Sequence, residues 1–356
     1  MGNCVAKDTE DYKIICDNQG YIKSCTKPLL NKMRFHAKTL EGQFIGILMS
    51  DFMSMLHRHF FISAFHASKG VDRNKLENKM RALHSKRSLI IYDIDKTAHI
   101  VHVSIEYKSP DFHTLFEFFP ESEDLFYSDI LHKPCSSFKL NSSDAIIIKT
   151  DFVKSTDLLN THGALSLIDT STRFYGKIQD LIRTKYYPYV YLHEVVGDSF
   201  VLVMNTDWTY NFQKLCATLA INFVFDLVQQ TRDFIEIRTG IGYGQLHYGK
   251  IGQSLTFFGY PMNIAARLEN KCNINEINAC QTFHKKLVSE LELIGITKRT
   301  CSLRRDSLKG FGEVEYYSIP VSVDESFAIY GSSIPPSQVP PPSATAVPAS
   351  QQPPVT

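Results

Sequence analysis

The sequence predicts an α+β protein built from two domains. Three observations point there. The chain has 356 residues, 44% of them hydrophobic and 21% charged, which is the length and composition of two globular domains. Residues 12–119 are rich in short strand-like runs with helical segments between them. Residues 144–244 alternate strands and amphipathic helices in the order βα(ββ)αβ. Charge is balanced, with 38 Lys and Arg against 37 Asp and Glu, so no global field favours nucleic acid or an anionic membrane, and no nucleic-acid partner is expected. The eight cysteines include no CxxC pair and lack the density of a disulfide framework, which points to a reducing, cytoplasmic location. Apolar runs such as residues 44–49 and 60–65 fall far short of the ~20 residues a bilayer-spanning helix needs.

Residues 1–11 lack the apolar core of a secretory signal. Gly2 and Cys4 stand where myristoylation and then palmitoylation act, which would give peripheral membrane contact, but Ala6 occupies the place where the acceptor pattern wants Ser or Thr. Acylation is therefore the secondary reading. Residues 12–24 read as two strands, with Ile14 and Ile15 before the turn Asp17-Asn18-Gln19-Gly20 and Tyr21 and Ile22 after it. Short helical segments follow as far as His66. Residues 89–93, 98–107 and 114–119 are strands again, with Asp95 and Lys96 in the first turn. Pro134 and a polar cluster mark residues 121–143 as a linker.

The second domain opens at residue 144. Its run Ala145, Ile146, Ile147, Ile148 suits a strand covered on both faces. The next helix carries Ala164, Leu167, Ile168, Phe174, Ile178, Leu181 and Ile182 at near-3.6 spacing. Residues 190–196 and 199–204 form a hairpin through Gly197 and Asp198. A second helix presents Phe212, Leu215, Cys216, Leu219, Ala220, Phe223 and Leu227, and residues 235–244 are a further strand. Two helices on one face of an antiparallel sheet make a sandwich of ferredoxin-like type. Eight of the 15 prolines lie beyond Gly331, so residues 321–356 are expected to form a disordered Pro-rich tail, with partner docking as its secondary reading.

Asp151 ends the apolar strand and Asp198 sits in the tight turn of the next hairpin, so both carboxylates can reach one spot beside neighbouring strands. Local pattern alone favours turn or helix caps for both. Residues 150–156 (Thr-Asp-Phe-Val-Lys-Ser-Thr), 194–200 (Glu-Val-Val-Gly-Asp-Ser-Phe), 238–244 (Arg-Thr-Gly-Ile-Gly-Tyr-Gly) and 258–269 (Phe-Gly-Tyr-Pro-Met-Asn-Ile-Ala-Ala-Arg-Leu-Glu) change that balance. In order, and followed by Lys309-Gly310-Phe311-Gly312 and Val314-Glu315-Tyr316-Tyr317, they resemble the class III nucleotidyl cyclase catalytic domain over about residues 143–320. Residues 14–22, Ile-Ile-Cys-Asp-Asn-Gln-Gly-Tyr-Ile, are similar to the opening hairpin of a PAS-type sensor domain, a resemblance that covers about residues 10–120.

The cyclase resemblance implies that Asp151 and Asp198, with the backbone carbonyl of Phe152, bind two Mg²⁺ or Mn²⁺ ions per active site. It implies that Asn263 orients the ribose and Arg267 stabilises charge on the α-phosphate, the two being spaced i,i+4 on one helix face. Lys154, Ser155, Thr156, Arg238 and Lys309 are expected at the polyphosphate. Glu194 and Thr256 match the base-selecting positions. A carboxylate accepts from guanine N1–H and the exocyclic amine and a hydroxyl donates to O6, so GTP is favoured, with adenylate or pyrimidine nucleotide cyclisation as the alternatives. One cyclase domain carrying the whole set implies a homodimer with two shared sites. Lys154 departs from the Gly common at its place, which either adds a cation or disturbs the loop, and Gly242 stands where many relatives carry His. The competing reading, from a different class, is a catalytically silent nucleotide-binding module.

Overall fold

A computed structural model describes residues 11–49, 54, 57–58, 87–108, 111–118, 144–205, 215–251, 254–274, 276–293 and 301–321. Gly2, Cys4, the 121–143 linker and the tail beyond Val321 lie outside the described residues. No helix among the described residues is long and apolar enough to cross a membrane.

The N-terminal region folds as an antiparallel sheet of β1 (Tyr12–Cys16), β2 (Ile22–Cys25), β3 (Arg87–Tyr92), β4 (Ala98–Lys108) and β5 (Asp111–Phe118), in the order β2-β1-β5-β4-β3. The first turn closes because Asp17 Oδ1 accepts from the amides of Gln19 (2.8 Å) and Tyr21 (2.9 Å), and Gly20 takes φ 86°. Asp93 does the same for the third strand, accepting from the amides of Asp95 and Thr97 and pairing with Arg34. Burial would raise its pKa, but the bonds to Arg34 and the Thr97 amide outweigh that and hold it down to about 2. Helices α1 (Lys27–Met33) and α2 (Ala37–Leu40) bury Leu29, Met33 and Leu40 against Ile14, Ile22, Val101 and Phe116.

The C-terminal region is a seven-stranded sheet. Its central strands are β6 (Asp144–Phe152), β7 (Val190–Val196), β8 (Ser199–Asn205) and β9 (Ile237–Gln245) in the order β9-β6-β8-β7, the ferredoxin-like arrangement expected from βα(ββ)αβ. Strand β12 (Glu276–Cys280) joins β9 in parallel, and β13 (Ser302–Leu308) and β14 (Gly312–Pro320) extend that edge. A separate hairpin, β10 (His247–Ile251) and β11 (Ser254–Phe258), carries Phe257 back onto the sheet. Side chains of β6 alternate: Ile146 and Ile148 join the large core with Phe174, Ile178 and Phe223, whereas Ala145 and Ile147 join a smaller cluster with Tyr191, Val203, Phe257 and Ala265.

Helices α3 (Ser155–Leu181), α4 (Cys216–Thr231) and α6 (Gln281–Leu293) serve the large core. Helix α4 is apolar nearly all round because it lies between α3, α6 and the sheet. Its N-cap, Leu215, has no side chain that can accept, so Glu290 of α6 serves instead. That carboxylate accepts from the amides of Ala217 (3.1 Å) and Thr218 (2.8 Å) and from the Thr218 hydroxyl (3.0 Å).

Helix α3 corrects one expectation. Ile168 is 59% exposed, Ala164 is exposed, and the first fully buried residue is Phe174. The helix is broken at Gly163 (φ 81°, ψ 172°), and beyond the break Leu167, Phe174, Ile178 and Leu181 form the face that meets the core, whereas Ala164 and Ile168 lie off that face. The last strand of the pattern likewise begins at Ile237 rather than residue 235, because the Ile235 amide still bonds to Thr231 O at the end of α4. The two regions touch where Ile90 enters the large core and the Tyr92 hydroxyl donates to Thr184 O in the π-helical turn Ile182–Tyr186.

Candidate active site

Strand β6 places Asp151 opposite Ser199 of β8 on one side and Arg238 of β9 on the other. Asp198, in the turn between β7 and β8, directly precedes Ser199, so the two aspartates stand on adjacent strands at one end of the sheet. Arg238 Nη2 donates to Asp151 Oδ2 at 2.6 Å, and its Nε lies 2.5 Å from Glu269 Oε1. Lys149 Nζ reaches Glu269 Oε2 at 3.1 Å. Glu269 is only 1% exposed. Burial pushes its carboxyl up, against the pull of Lys149 and Arg238. Two acids and two bases thus neutralise one another on one face of the sheet. Arg238, expected at a polyphosphate, here bridges Asp151 and Glu269.

Lys149 and Glu269 were not singled out by sequence. Their signal is a lysine directly after four apolar strand residues and a glutamate on the buried side of an amphipathic helix.

That helix, α5 (Tyr260–Glu269), lies almost on the backbone of β9. A Cβ at Gly240 would stand 2.0 Å from Ala265 O, and one at Gly242 would stand 2.2 Å from Pro261 O. Only glycine permits this approach. It accounts for glycine at position 242 in this chain: no side chain fits beneath α5.

After Phe152, whose ring is buried, the chain turns through Val153 and Lys154 into α3. Lys154 takes the left-handed conformation, φ 60° and ψ 31°, which costs an L-residue roughly 1–2 kcal/mol. No side chain caps the helix, so the first-turn amides at Ser155 and Thr156 are left for other acceptors. Lys154 is exposed and borders an open cleft of about 390 Å³ with Asp157, His162, Arg232 and Glu236. Lys154→Gly is expected to stabilise the domain by roughly 0.5–1 kcal/mol, the relieved strain less the extra entropy of glycine. A lowered melting temperature would show instead that the side chain holds the loop.

Glu194 is exposed near the end of β7, and Thr256 is half-buried on β11. Lys309 is exposed in the β13–β14 turn, which is held to the start of α5 by the Phe311 ring standing 5.7 Å edge-on from Tyr260.

Residues 139–320, half of the chain, match the adenylate and guanylate cyclase catalytic domain. The chain belongs to this cyclase family. Among solved structures, the cyclase domain is similar to the guanylate cyclase domain of RhGC from Catenaria anguillulae in complex with GTP, at 18% identity over 50% of this chain and 96% of that one, with a TM-score of 0.40. It is also similar to the adenylyl cyclase CyaB from P. aeruginosa, at 21% identity over 50% of this chain and 94% of that one, with a TM-score of 0.40.

Within the cyclase domain, α5 sorts its residues sharply. Ile264, Ala265, Leu268 and Glu269 are buried against the sheet, while Asn263 and Arg267 are exposed on the outward side. The cyclase domain therefore sets Asp151, bonded to Arg238, and Asp198 at the same end of the sheet, and leaves Asn263 and Arg267 exposed on α5. The family is generally dependent on Mg²⁺ or Mn²⁺. Among the described residues no three His, Cys, Asp or Glu gather as a complete cage. Two hard-oxygen carboxylates at one sheet end fit an ion that keeps water and phosphate in its remaining positions.

Proposed function

We propose that the chain is a guanylate cyclase, converting GTP to 3′,5′-cyclic GMP and pyrophosphate at two equivalent sites shared across a homodimer. The observation that supports this reading is the division within one chain: Asp151 and Asp198 stand at one end of the sheet on neighbouring elements, while Asn263 and Arg267 are exposed on α5. A second copy, placed head to tail, would bring its outward α5 face to the first copy's aspartates.

In that site Asp151, Asp198 and the carbonyl of Phe152 would hold two Mg²⁺ or Mn²⁺ ions, which supply activation of the ribose 3′-hydroxyl and neutralisation of phosphate charge. The uncapped start of α3, at Ser155 and Thr156, offers main-chain amides to the polyphosphate, and Lys154 and Lys309 add charge there. Arg238 would release Asp151 and turn its guanidinium to the phosphates while Glu269 keeps its Nε side anchored. Asn263 from the partner copy orients the ribose. Arg267 offsets the charge that develops on the α-phosphate as the 3′-oxygen bonds to phosphorus and pyrophosphate leaves.

Glu194 accepts from guanine N1–H and its exocyclic amine, and Thr256 donates to O6; an adenine would leave Glu194 facing an acceptor, costing about 1–3 kcal/mol. The N-terminal sheet, read as a PAS-like sensor, would act through its contact with the Ile182–Tyr186 turn, which leads into the strand bearing Glu194.

Shared sites make a distinct prediction. Asp151→Ala and Arg267→Ala should each be inactive alone, yet a refolded equal mixture should regain about a quarter of wild-type activity, because half the dimers then hold one intact site. A mixture as dead as its parents would overturn the shared-site arrangement.

A further inference from the structure

Strand β7 contains a bulge. Tyr191 lies opposite Val203 and Leu192 opposite Leu202, but the next matched pair is Glu194 with Val201, so His193 is one residue too many for the ladder. Its consequence is parity. In a regular strand Glu194 would share a face with Leu192, which is fully buried in the large core. The extra residue puts Glu194 on the opposite face, the one that carries Tyr191, and leaves it exposed.

The bulged residue is also clamped. The His193 ring meets the Phe257 ring edge-on, with centroids 4.3 Å apart and planes at 84°. Phe257 is buried, packs beside Tyr191, and directly follows Thr256. Burial lowers the His193 pKa, which favours the neutral ring suited to this apolar contact. Glu194 and Thr256 come from elements with no ladder between them, and each is the chain neighbour of one partner in this ring pair.

We propose that His193 is a specificity-determining positioning residue: its bulge turns Glu194 outward, and its edge-on contact with Phe257 sets the spacing between Glu194 and Thr256. This rests on the reading of those two residues as base-selecting. Such pairs discriminate only when both polar groups meet the base at once, so a loosened spacing lowers selectivity before it lowers turnover.

The test is kcat/KM for GTP and for ATP in the full-length wild type, His193→Ala, His193→Phe, Phe257→Leu and Glu194→Ala, with melting temperatures alongside. His193→Ala and Phe257→Leu should each lower the GTP-to-ATP ratio roughly tenfold with kcat for GTP changed only a few-fold, and His193→Phe, which keeps a ring edge on Phe257, should restore the ratio. Phe257→Leu reads the same contact should His193→Ala fail to fold. If both leave the ratio intact, or lower GTP and ATP turnover equally, while Glu194→Ala abolishes discrimination, the positioning role is wrong and the base reading stands. If Glu194→Ala leaves the ratio unchanged, the base reading fails and this proposal with it.

Discussion

Asp198→Ala is expected to lower cyclic nucleotide formation on the order of a thousandfold while leaving the melting temperature within a few degrees of wild type. A metal-bound carboxylate contributes several kcal/mol to the transition state of phosphoryl transfer, and each 1.36 kcal/mol is a factor of ten. The turn itself does not depend on this side chain. Gly197, with φ 63°, supplies the unusual backbone conformation, and Asp198 is only half-buried. Asp151→Ala should be equally inactive yet behave differently in unfolding, because removing its carboxylate takes a 2.6 Å partner from Arg238. A loss of about 1–3 kcal/mol is expected there. Thermal melts of both variants, run beside a product assay, separate the two roles. Equal destabilisation would show that Asp198 is structural, and retained activity in either variant would remove it from the metal pair.

The second large effect is on stability. Gly242→Ala should destabilise the cyclase domain by about 3 kcal/mol or more, as a methyl group is forced within 2.2 Å of Pro261 O on α5. Gly240→Ala should do the same against Ala265 O, at 2.0 Å. In a domain of this size that corresponds to a fall in melting temperature of roughly 6–12 °C. The backbones cannot separate without lifting Glu269 from Arg238 and Lys149, so the buried charge cluster is lost together with the packing. Gly163→Ala, whose Cβ meets nothing within 4 Å, is the control for a glycine held by backbone conformation alone. A Gly242→Ala protein that melts within 2 °C of wild type would mean that α5 can shift away at little cost.

These contacts also mark where the sequence was and was not legible. The order β6, α3, β7, β8, α4, β9 was readable because apolar spacing switches cleanly between strand and helix periods, and Gly197 with Asp198 marked the hairpin. Spacing does not say what covers an apolar face. Ile168 fits the apolar spacing of α3, yet it is 59% exposed, because it lies off the face on which Leu167, Phe174, Ile178 and Leu181 meet the core. Asp151 and Asp198 could be paired on paper because ferredoxin-like strand order makes their strands neighbours. The Lys149–Glu269 and Arg238–Glu269 pairs could not, since they join residues 120 and 31 positions apart through the tight seating of one helix. The bulge at His193 was hidden for a related reason: a single extra residue shifts parity without changing composition. The need for glycine at position 242 was hidden in the same way, since it follows from that helix seating.

The most direct measurement of the central claim is product identification. Purified full-length protein incubated with GTP, ATP, CTP and UTP together, in Mg²⁺ and then in Mn²⁺, should yield 3′,5′-cyclic GMP as the dominant cyclic product by mass spectrometry, and Asp198→Ala should abolish it. A different dominant cyclic nucleotide would contradict the assignment of Glu194 and Thr256, and the absence of any cyclic product with either metal would contradict cyclase activity in this chain.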